Sequence, residues 1–200
     1  MNFKSLLSIL VLSLFIPFTY ADDIRLGMAG YGGTGCPAGS ASVTLSPDYK
    51  SLSLIFDSYV AEAGESSRRS IDRKTCSVAI PIHIPQGMSV SIISVDYRGY
   101  IALPNSRATA SFNAEYFFAG SMGPRFSRNW RGAADTNYQF NNGISLTALV
   151  WSPCGESVNM RVNTSMLVRN PVYNNDAMAS VDSADFRTGI LYQLQWRQCN

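Results

Sequence analysis

Apolar and polar residues alternate along several stretches of the chain, and this alternation is the clearest structural signal in the sequence. In residues 158–168 every second residue is Val, Met or Thr, and the residues between them are Asn, Arg and Ser with one Leu. Only a β-strand places every second side chain on the same face. Residues 76–84 and 190–196 have a similar pattern, so three half-buried strands are predicted. Pro81 should place its strand at a sheet edge or bulge.

Weaker alternation predicts six further strands, at residues 42–46, 51–56, 88–95, 97–103, 107–118 and 144–151. Turn sequences such as Pro47-Asp48 and Asn142-Gly143 separate them, because Pro presets φ and Asn or Gly tolerates positive φ. No stretch keeps the 3.6-residue period of a helix over three turns. Many short strands joined by turns predict an all-β chain, folded as an antiparallel β-sandwich of jelly-roll or immunoglobulin-like type.

Two polar stretches interrupt these patterns. Residues 62–74 are dense in charge and are predicted to form a solvated loop. Residues 121–135 contain three arginines with two aromatic residues between them, which favours either a long surface connection or a recognition loop, since Arg and Trp often anchor interfaces. The candidate binding residues are Arg125, Phe126, Arg128, Trp130 and Arg131, together with Tyr97 and Tyr100 in a predicted strand.

The N-terminal 21 residues have the pattern of a secretory signal peptide. Lys4 precedes an apolar run at residues 6–18, and small residues follow at Thr19 and Ala21, where cleavage is expected. The alternative is a membrane anchor, but the run is shorter than the roughly 20 residues of a membrane-spanning helix. We therefore predict that residues 22–200 form a single secreted domain that is not an integral membrane protein.

Four cysteines lie in this predicted mature domain, and an even number in an exported chain indicates two disulfide bonds. Three pairings are open. We favour Cys36 with Cys76 and Cys154 with Cys199, because each bond then closes one contiguous half of the chain. Zinc is the competing interpretation, but the chain has no C-x-x-C pair and one histidine, so no metal site is expected.

A glycine-rich segment near the predicted N-terminus of the mature domain raises the question of a nucleotide site. Gly30, Gly32 and Gly35 match the spacing G-x-G-x-x-G of dinucleotide-binding loops. That loop needs a buried strand before it and a helix after it, and the sequence predicts neither here. We expect a flexible lead that is fixed at Cys36, and no cofactor. The net charge of +2 has no clustered basic stretch, so a nucleic-acid partner is not expected either.

The sequence offers few groups for catalysis. His83, the only histidine, is predicted on the polar side of a strand, which favours a surface residue over the general base of a serine hydrolase. Glycoside hydrolysis needs only two carboxylates, and Asp57, Asp96 and Glu115 lie in or beside apolar strand segments. An ion pair with Arg98 is the expected role of Asp96. We assign no catalytic residue, and a hydrolase that uses paired carboxylates is kept as an alternative.

Several motifs, in order along the mature chain, resemble one known family. They are GTGCPAGSASVTLSPD, LSLIFDSYVAEAG, RKTC, PQG, SVDYRGY, LVWSPCG and LQWRQC, and they include all four cysteines. Together they resemble the secreted family named domain of unknown function 4360, which occurs in bacteria and fungi. The resemblance implies a single exported, disulfide-bearing domain and supplies no catalytic residue. Residues 121–135 match none of these motifs.

These observations favour a secreted, non-catalytic binding or structural protein. The expected partner is a cell-surface, matrix or carbohydrate component, because loops and sheet edges on a rigid disulfide-closed domain commonly present recognition residues. A secreted effector or inhibitor of another cell's proteins is a second alternative beside the hydrolase.

Overall fold

The computed structural model describes residues 23–172, 175–181 and 189–199, and these residues form two antiparallel β-sheets packed face to face. The strands are β1 (Arg25–Leu26), β2 (Gly30–Gly32), β3 (Ala41–Leu45), β4 (Ser51–Phe56), β5 (Val60–Ala63), β6 (Ile71–His83), β7 (Met88–Leu103), β8 (Thr109–Phe118), β9 (Arg125–Arg131), β10 (Ala134–Gly143), β11 (Val158–Arg169), β12 (Ala177–Val181) and β13 (Ile190–Gln198). The predicted antiparallel β-sandwich is confirmed. The predicted signal peptide lies outside the described residues.

The two sheets differ in composition and size. Sheet A runs β6, β11, β8 and β9, and the short strands β1 and β2 both pair with the free side of β6. Sheet B runs β3, β4, β13 and β7, with β12 and β5 beside the second half of β7 and β10 along its opposite edge. The long strand β7 therefore organises sheet B, as β11 organises sheet A.

The alternation that predicts β11 is the reason that it lies at the centre of sheet A. Val162 and Met166 are fully buried against sheet B, whereas Arg161 faces solvent. Thr164 is the polar member of the buried row, and its hydroxyl lies 2.9 Å from the hydroxyl of Tyr59 in the facing layer. One strand thus supplies both the apolar core and a polar outer surface.

Aromatic rings fill the space between the sheets. Tyr97 of β7 packs edge to face on Phe112 of β8 with centroids 5.3 Å apart, and Tyr116 of β8 packs on Tyr192 of β13 at 5.7 Å. Such pairs add about 0.5–1.5 kcal/mol beyond the burial of their surface. These contacts fix one sheet against the other.

The structure contains two disulfide bonds in the favoured pairing. Cys36 is bonded to Cys76 of β6 with 5.4 Å between the Cα atoms, and Cys154 to Cys199 with 6.1 Å. The first bond attaches the segment after β2 to sheet A. The second joins the chain after β13 to the segment before β11.

The glycine-rich segment is not the flexible lead that the sequence predicts. Its residues Gly30–Gly32 form β2, which pairs with β6 as β1 before it does, and a Cβ at Gly35 would collide with the ring of Tyr59. Gly35 therefore allows the backbone to approach that ring closely. Pro81 was predicted to place its strand at a sheet edge or bulge, but β6 lies between β11 and the short strands β1 and β2. Pro81 faces the gap between β1 and β2, where the Gly27 nitrogen donates to its carbonyl oxygen at 2.8 Å.

Three other local predictions need correction. Residues 62–74 are not one long loop, because β5 continues to Ala63 and β6 begins at Ile71, which leaves residues 64–70 as the connection. The predicted strands at 88–95 and 97–103 are one continuous strand, β7. The strand predicted at 144–151 is wrong. Residues Leu146–Ala148 form a 3-10 turn there with exposed side chains, so the apolar residues of that stretch do not line a common buried face.

Candidate functional site

The arginine-rich residues 121–135, predicted as a surface connection or recognition loop, are largely strand. Residues Arg125–Arg131 form β9, the edge of sheet A, and β10 begins at Ala134. Alternation along β9 divides the candidate residues between two surfaces. Arg125 and Arg131 lie on the outer face of sheet A, whereas Phe126, Arg128 and Trp130 point toward β10.

The inward-pointing residues of β9 close the sandwich at its open edge. Phe126 stacks on Tyr97 with centroids 4.7 Å apart, and Trp130 lies 4.8 Å from the ring of Tyr138 on β10. The guanidinium carbon of Arg128 lies 4.5 Å from the centroid of Phe140. Phe126 and Trp130 are half-buried, and Tyr97 is 0% exposed. These aromatic residues therefore pack the two edge strands together, and Tyr97 is inaccessible to a ligand.

Tyr100 lies on the opposite surface, the outer face of sheet B. Its hydroxyl donates a hydrogen bond of 2.5 Å to Asp135 of β10. This bond to a carboxylate is the main cause of the raised pKa of Tyr100. The seven residues singled out in the sequence are thus distributed over the outer face of sheet A, the sandwich edge and interior, and the outer face of sheet B.

A groove of about 520 Å³ lies on the outer face of sheet A and is called here the polar groove. It crosses the four strands β6, β11, β8 and β9, and strand register aligns its floor into two rows. One row is Ser77, Asn163, Glu115 and Arg125, and the next is Thr75, Ser165, Asn113 and Ser127. At about 4.8 Å between strands, the floor is about 14 Å wide.

Hydrogen bonds and one ion pair hold the polar groove in shape. The Ser127 hydroxyl donates to the Asn113 side-chain oxygen at 2.8 Å, and the Arg125 Nε lies 2.9 Å from a carboxylate oxygen of Glu115. Arg125 is 80% exposed and therefore stays accessible above its partner. Hydroxyl and amide groups can each donate and accept hydrogen bonds, so this floor suits a ligand rich in hydroxyl groups.

A second, smaller depression of about 270 Å³ continues the outer face of sheet A toward its other end. Arg131 and Arg169 line it, together with small or uncharged residues of β8, β9 and β11. Arg73, which lines the polar groove, pairs in register with Leu167, two residues before Arg169. We call Arg73, Arg131 and Arg169 the arginine end of the groove.

Sequence reasoning missed the floor of the groove. Asn113 and Asn163 stand 50 positions apart in the chain and meet only because β8 and β11 pair. The available signal was the small polar residues between the apolar positions of each strand, which an ordinary solvated face also contains.

The structure does not bring the three candidate carboxylates together. Glu115 lies on the outer face of sheet A, Asp96 on the outer face of sheet B, and Asp57 in the exposed turn after β4. The Asn141 amide donates to Asp96 at 2.9 Å, and the expected Asp96–Arg98 ion pair is not among those formed by described residues. His83 contacts Ser157 at 3.0 Å.

Neither a metal cluster nor a membrane-spanning helix occurs in the described residues. In that part of the chain, no group of three or more His, Cys, Asp or Glu side chains is placed to hold a metal ion. It likewise contains no helix of sufficient length and apolarity to cross a membrane.

Comparisons with known proteins place the chain in a family. Residues 22–199 match the family model described as "Domain of unknown function (DUF4360)". A relative from Arthroderma benhamiae, described as an uncharacterized secreted protein, is 32% identical over 178 residues, which cover 89% of this chain and 73% of the relative.

Two solved structures show a weaker likeness. TmCBM61 in complex with beta-1,4-galactotriose has 9% identity and a TM-score of 0.29, with 86% of this chain and 88% of that chain covered. Bacteriophage CBA120 tailspike protein 4 has 12% identity and a TM-score of 0.28, and the match covers 89% of this chain but 20% of the tailspike chain. The family match and the relative's identity carry the conclusion: the chain belongs to the domain of unknown function 4360 family.

Proposed function

We propose that this protein is an exported, non-catalytic carbohydrate-binding domain and that the polar groove on sheet A is its binding surface. The observation that carries the proposal is the double row of polar side chains across four strands, in which six of the eight residues carry a hydroxyl or amide group. Sugars present hydroxyl groups along their length, and a shallow groove lined by Ser, Thr and Asn can pair with many of them at once. A volume of about 520 Å³ lies within the range of small-ligand sites.

The rigidity of this surface supports the proposal. The groove floor belongs to paired strands, and its β6 wall is tied through Cys76 to Cys36. A floor that is already ordered loses little conformational entropy on binding, whereas a flexible surface loses more because it must first be ordered.

The placement of the acidic groups supports a binding role over hydrolysis. Glycoside hydrolysis uses two carboxyl groups about 5–10 Å apart on either side of one bond. Glu115 is the acid that borders the groove, and its carboxylate is already paired with Arg125. Asp96 lies on the far side of the sandwich, where Asn141 holds it.

One prediction and two findings support export. The predicted signal peptide is the first, the two disulfide bonds are the second, and the secreted relative is the third. Disulfide bonds persist in oxidising compartments outside the cytosol.

A steric block tests the proposal without assuming a particular sugar. Ser77 is exposed on β6 and lines the groove, so Ser77→Trp should obstruct the groove from its β6 side; Gln139→Trp places the same ring at an exposed position of β10 on sheet B. The wild type and both variants would be run through gels containing neutral or acidic polysaccharides, and circular dichroism would check folding. We expect one or more polysaccharides to retard the wild type and Gln139→Trp but not Ser77→Trp. Equal retardation of Ser77→Trp, or no retardation of the wild type by any polysaccharide, would overturn the proposal.

A further inference from the structure

The outer faces of the two sheets differ sharply in charge. Sheet A presents Arg73, Arg125, Arg131, Arg161 and Arg169, and Glu115 is the one acidic residue on the described outer faces of β6, β8, β9 and β11. On the outer face of sheet B, Asp96 and Asp135 of β7 and β10 accompany Arg98. A polar ligand on sheet A would therefore meet a positive surface.

The three arginines of the arginine end are available to a ligand. Arg73, Arg131 and Arg169 are exposed, and none of them forms an ion pair with another described residue. The nearest acid along β6, Asp72, is already held by Arg69 and Lys74, each at 3.6 Å. Positive charge at this end is thus not neutralised by the described part of the chain.

Strand register sets the spacing of these arginines. Arg169 and Arg131 both pair with Thr109, from opposite sides, so their Cα atoms are about 10 Å apart at the usual strand separation. Arg73 lies one strand from Arg169 and two residues along, about 8 Å away. The guanidinium group binds a carboxylate through two parallel hydrogen bonds, so three arginines at this spacing suit a chain that carries repeated carboxylates.

We propose that the arginine end binds the carboxylate groups of an acidic polysaccharide while the polar groove holds the adjoining sugar hydroxyls. This inference rests on the proposed function of the groove and names its ligand class. The polysaccharide contains uronic acid residues, and binding is strongest when the acid groups are free rather than esterified. Because the arginines are exposed, added salt weakens the interaction.

The test compares one polymer in two charge states, polygalacturonate and its methyl-esterified form, by titration calorimetry. Arg131→Gln and Arg169→Gln remove charge at the arginine end, and Arg98→Gln makes the same change on sheet B as the matched control. We expect tighter binding of the free acid, about tenfold weaker binding for each arginine-end variant, and a change of less than about twofold for Arg98→Gln.

The outcomes separate the two proposals. Equal affinity for both forms of the polymer, with binding lost in Ser77→Trp alone, would overturn the inference and leave the groove as a glycan site. Equal weakening by Arg98→Gln would also overturn it, since the attraction would then come from overall charge. Failure of the wild type to bind either form would overturn it, and binding of neutral polysaccharides in the gels would then still support the groove.

Discussion

Two buried tyrosines offer a sharp test of the sandwich core. Tyr97 and Tyr192 are 0% exposed, and neither hydroxyl has a hydrogen-bond partner among the described residues. Burial raises the pKa of Tyr97 and raises that of Tyr192 well above the ordinary tyrosine value. The perturbation is the removal of each hydroxyl, in Tyr97→Phe and Tyr192→Phe.

The expected gain follows from the balance of two effects. A buried hydroxyl without a partner costs about 1–3 kcal/mol of desolvation, and this cost disappears in the Phe variants. The space that one oxygen leaves is smaller than a water molecule and costs at most about 0.5 kcal/mol, at about 24 cal/mol per Å³. Each substitution should therefore raise the free energy of unfolding by about 1–2 kcal/mol, or the Tm by about 2–8 °C for a domain of this size.

The assay is urea and thermal unfolding of the wild type and three variants. The matched control is Tyr59→Phe, because the Tyr59 hydroxyl lies 2.9 Å from Thr164. Loss of that bond should lower the free energy of unfolding by about 1 kcal/mol. If Tyr97→Phe and Tyr192→Phe destabilise the domain as much as Tyr59→Phe does, their hydroxyls are hydrogen-bonded in the folded protein and the reasoning is refuted.

Three further predictions concern the edge, a disulfide and pH. Trp130→Ala should lower the free energy of unfolding by about 2–3 kcal/mol in urea melts, since the packing of a half-buried ring on Tyr138 is lost; unchanged stability would contradict the packing role. Replacing Cys154 and Cys199 by Ser opens a loop of 45 residues and should cost about 4 kcal/mol, measured by urea midpoints, whereas a cost below about 1 kcal/mol would argue against the chain-entropy estimate. Burial raises the pKa of Tyr116 to about 12, so above about pH 10 the unfolded chain loses this proton before the folded protein does. The free energy of unfolding should therefore fall as the pH rises from about 10 to about 12, with phenolate absorbance reporting the ionisation during urea melts. A free energy of unfolding that does not change above about pH 10 would contradict this prediction.

The sequence predicted those strands whose two faces differ most. β11 alternates between buried Val or Met and outward Asn, Arg or Ser, and one register satisfies both faces. β9 has polar residues on one side and a mixture of Phe, Arg and Trp on the other, so it resembles a surface connection in sequence. The sequence of β9 does not show which of its sides faces inward, because that side is covered by packing against β10 in the tertiary structure.

The candidate site was predicted only in part, again because tertiary packing decides which residues are covered. Arg125 and Arg131 do border the outer surface of sheet A, because both occupy outward positions of β9. Phe126 and Trp130 pack between the sheets, so aromatic character alone did not distinguish a ligand platform from core packing. The groove floor requires the order of β6, β11, β8 and β9, and that order comes from long-range pairing that local patterns do not encode.

The most direct test of the central claim is to map the bound surface by backbone amide chemical shifts in solution, with a short oligogalacturonate as the probe. The account predicts shift changes concentrated in outward residues of β6, β8, β9 and β11, among them Asn113, Asn163 and Arg131, and growing smaller in high salt. Shift changes centred on β10 and the outer face of sheet B, with the amide shifts of the sheet A residues unchanged, would contradict the account.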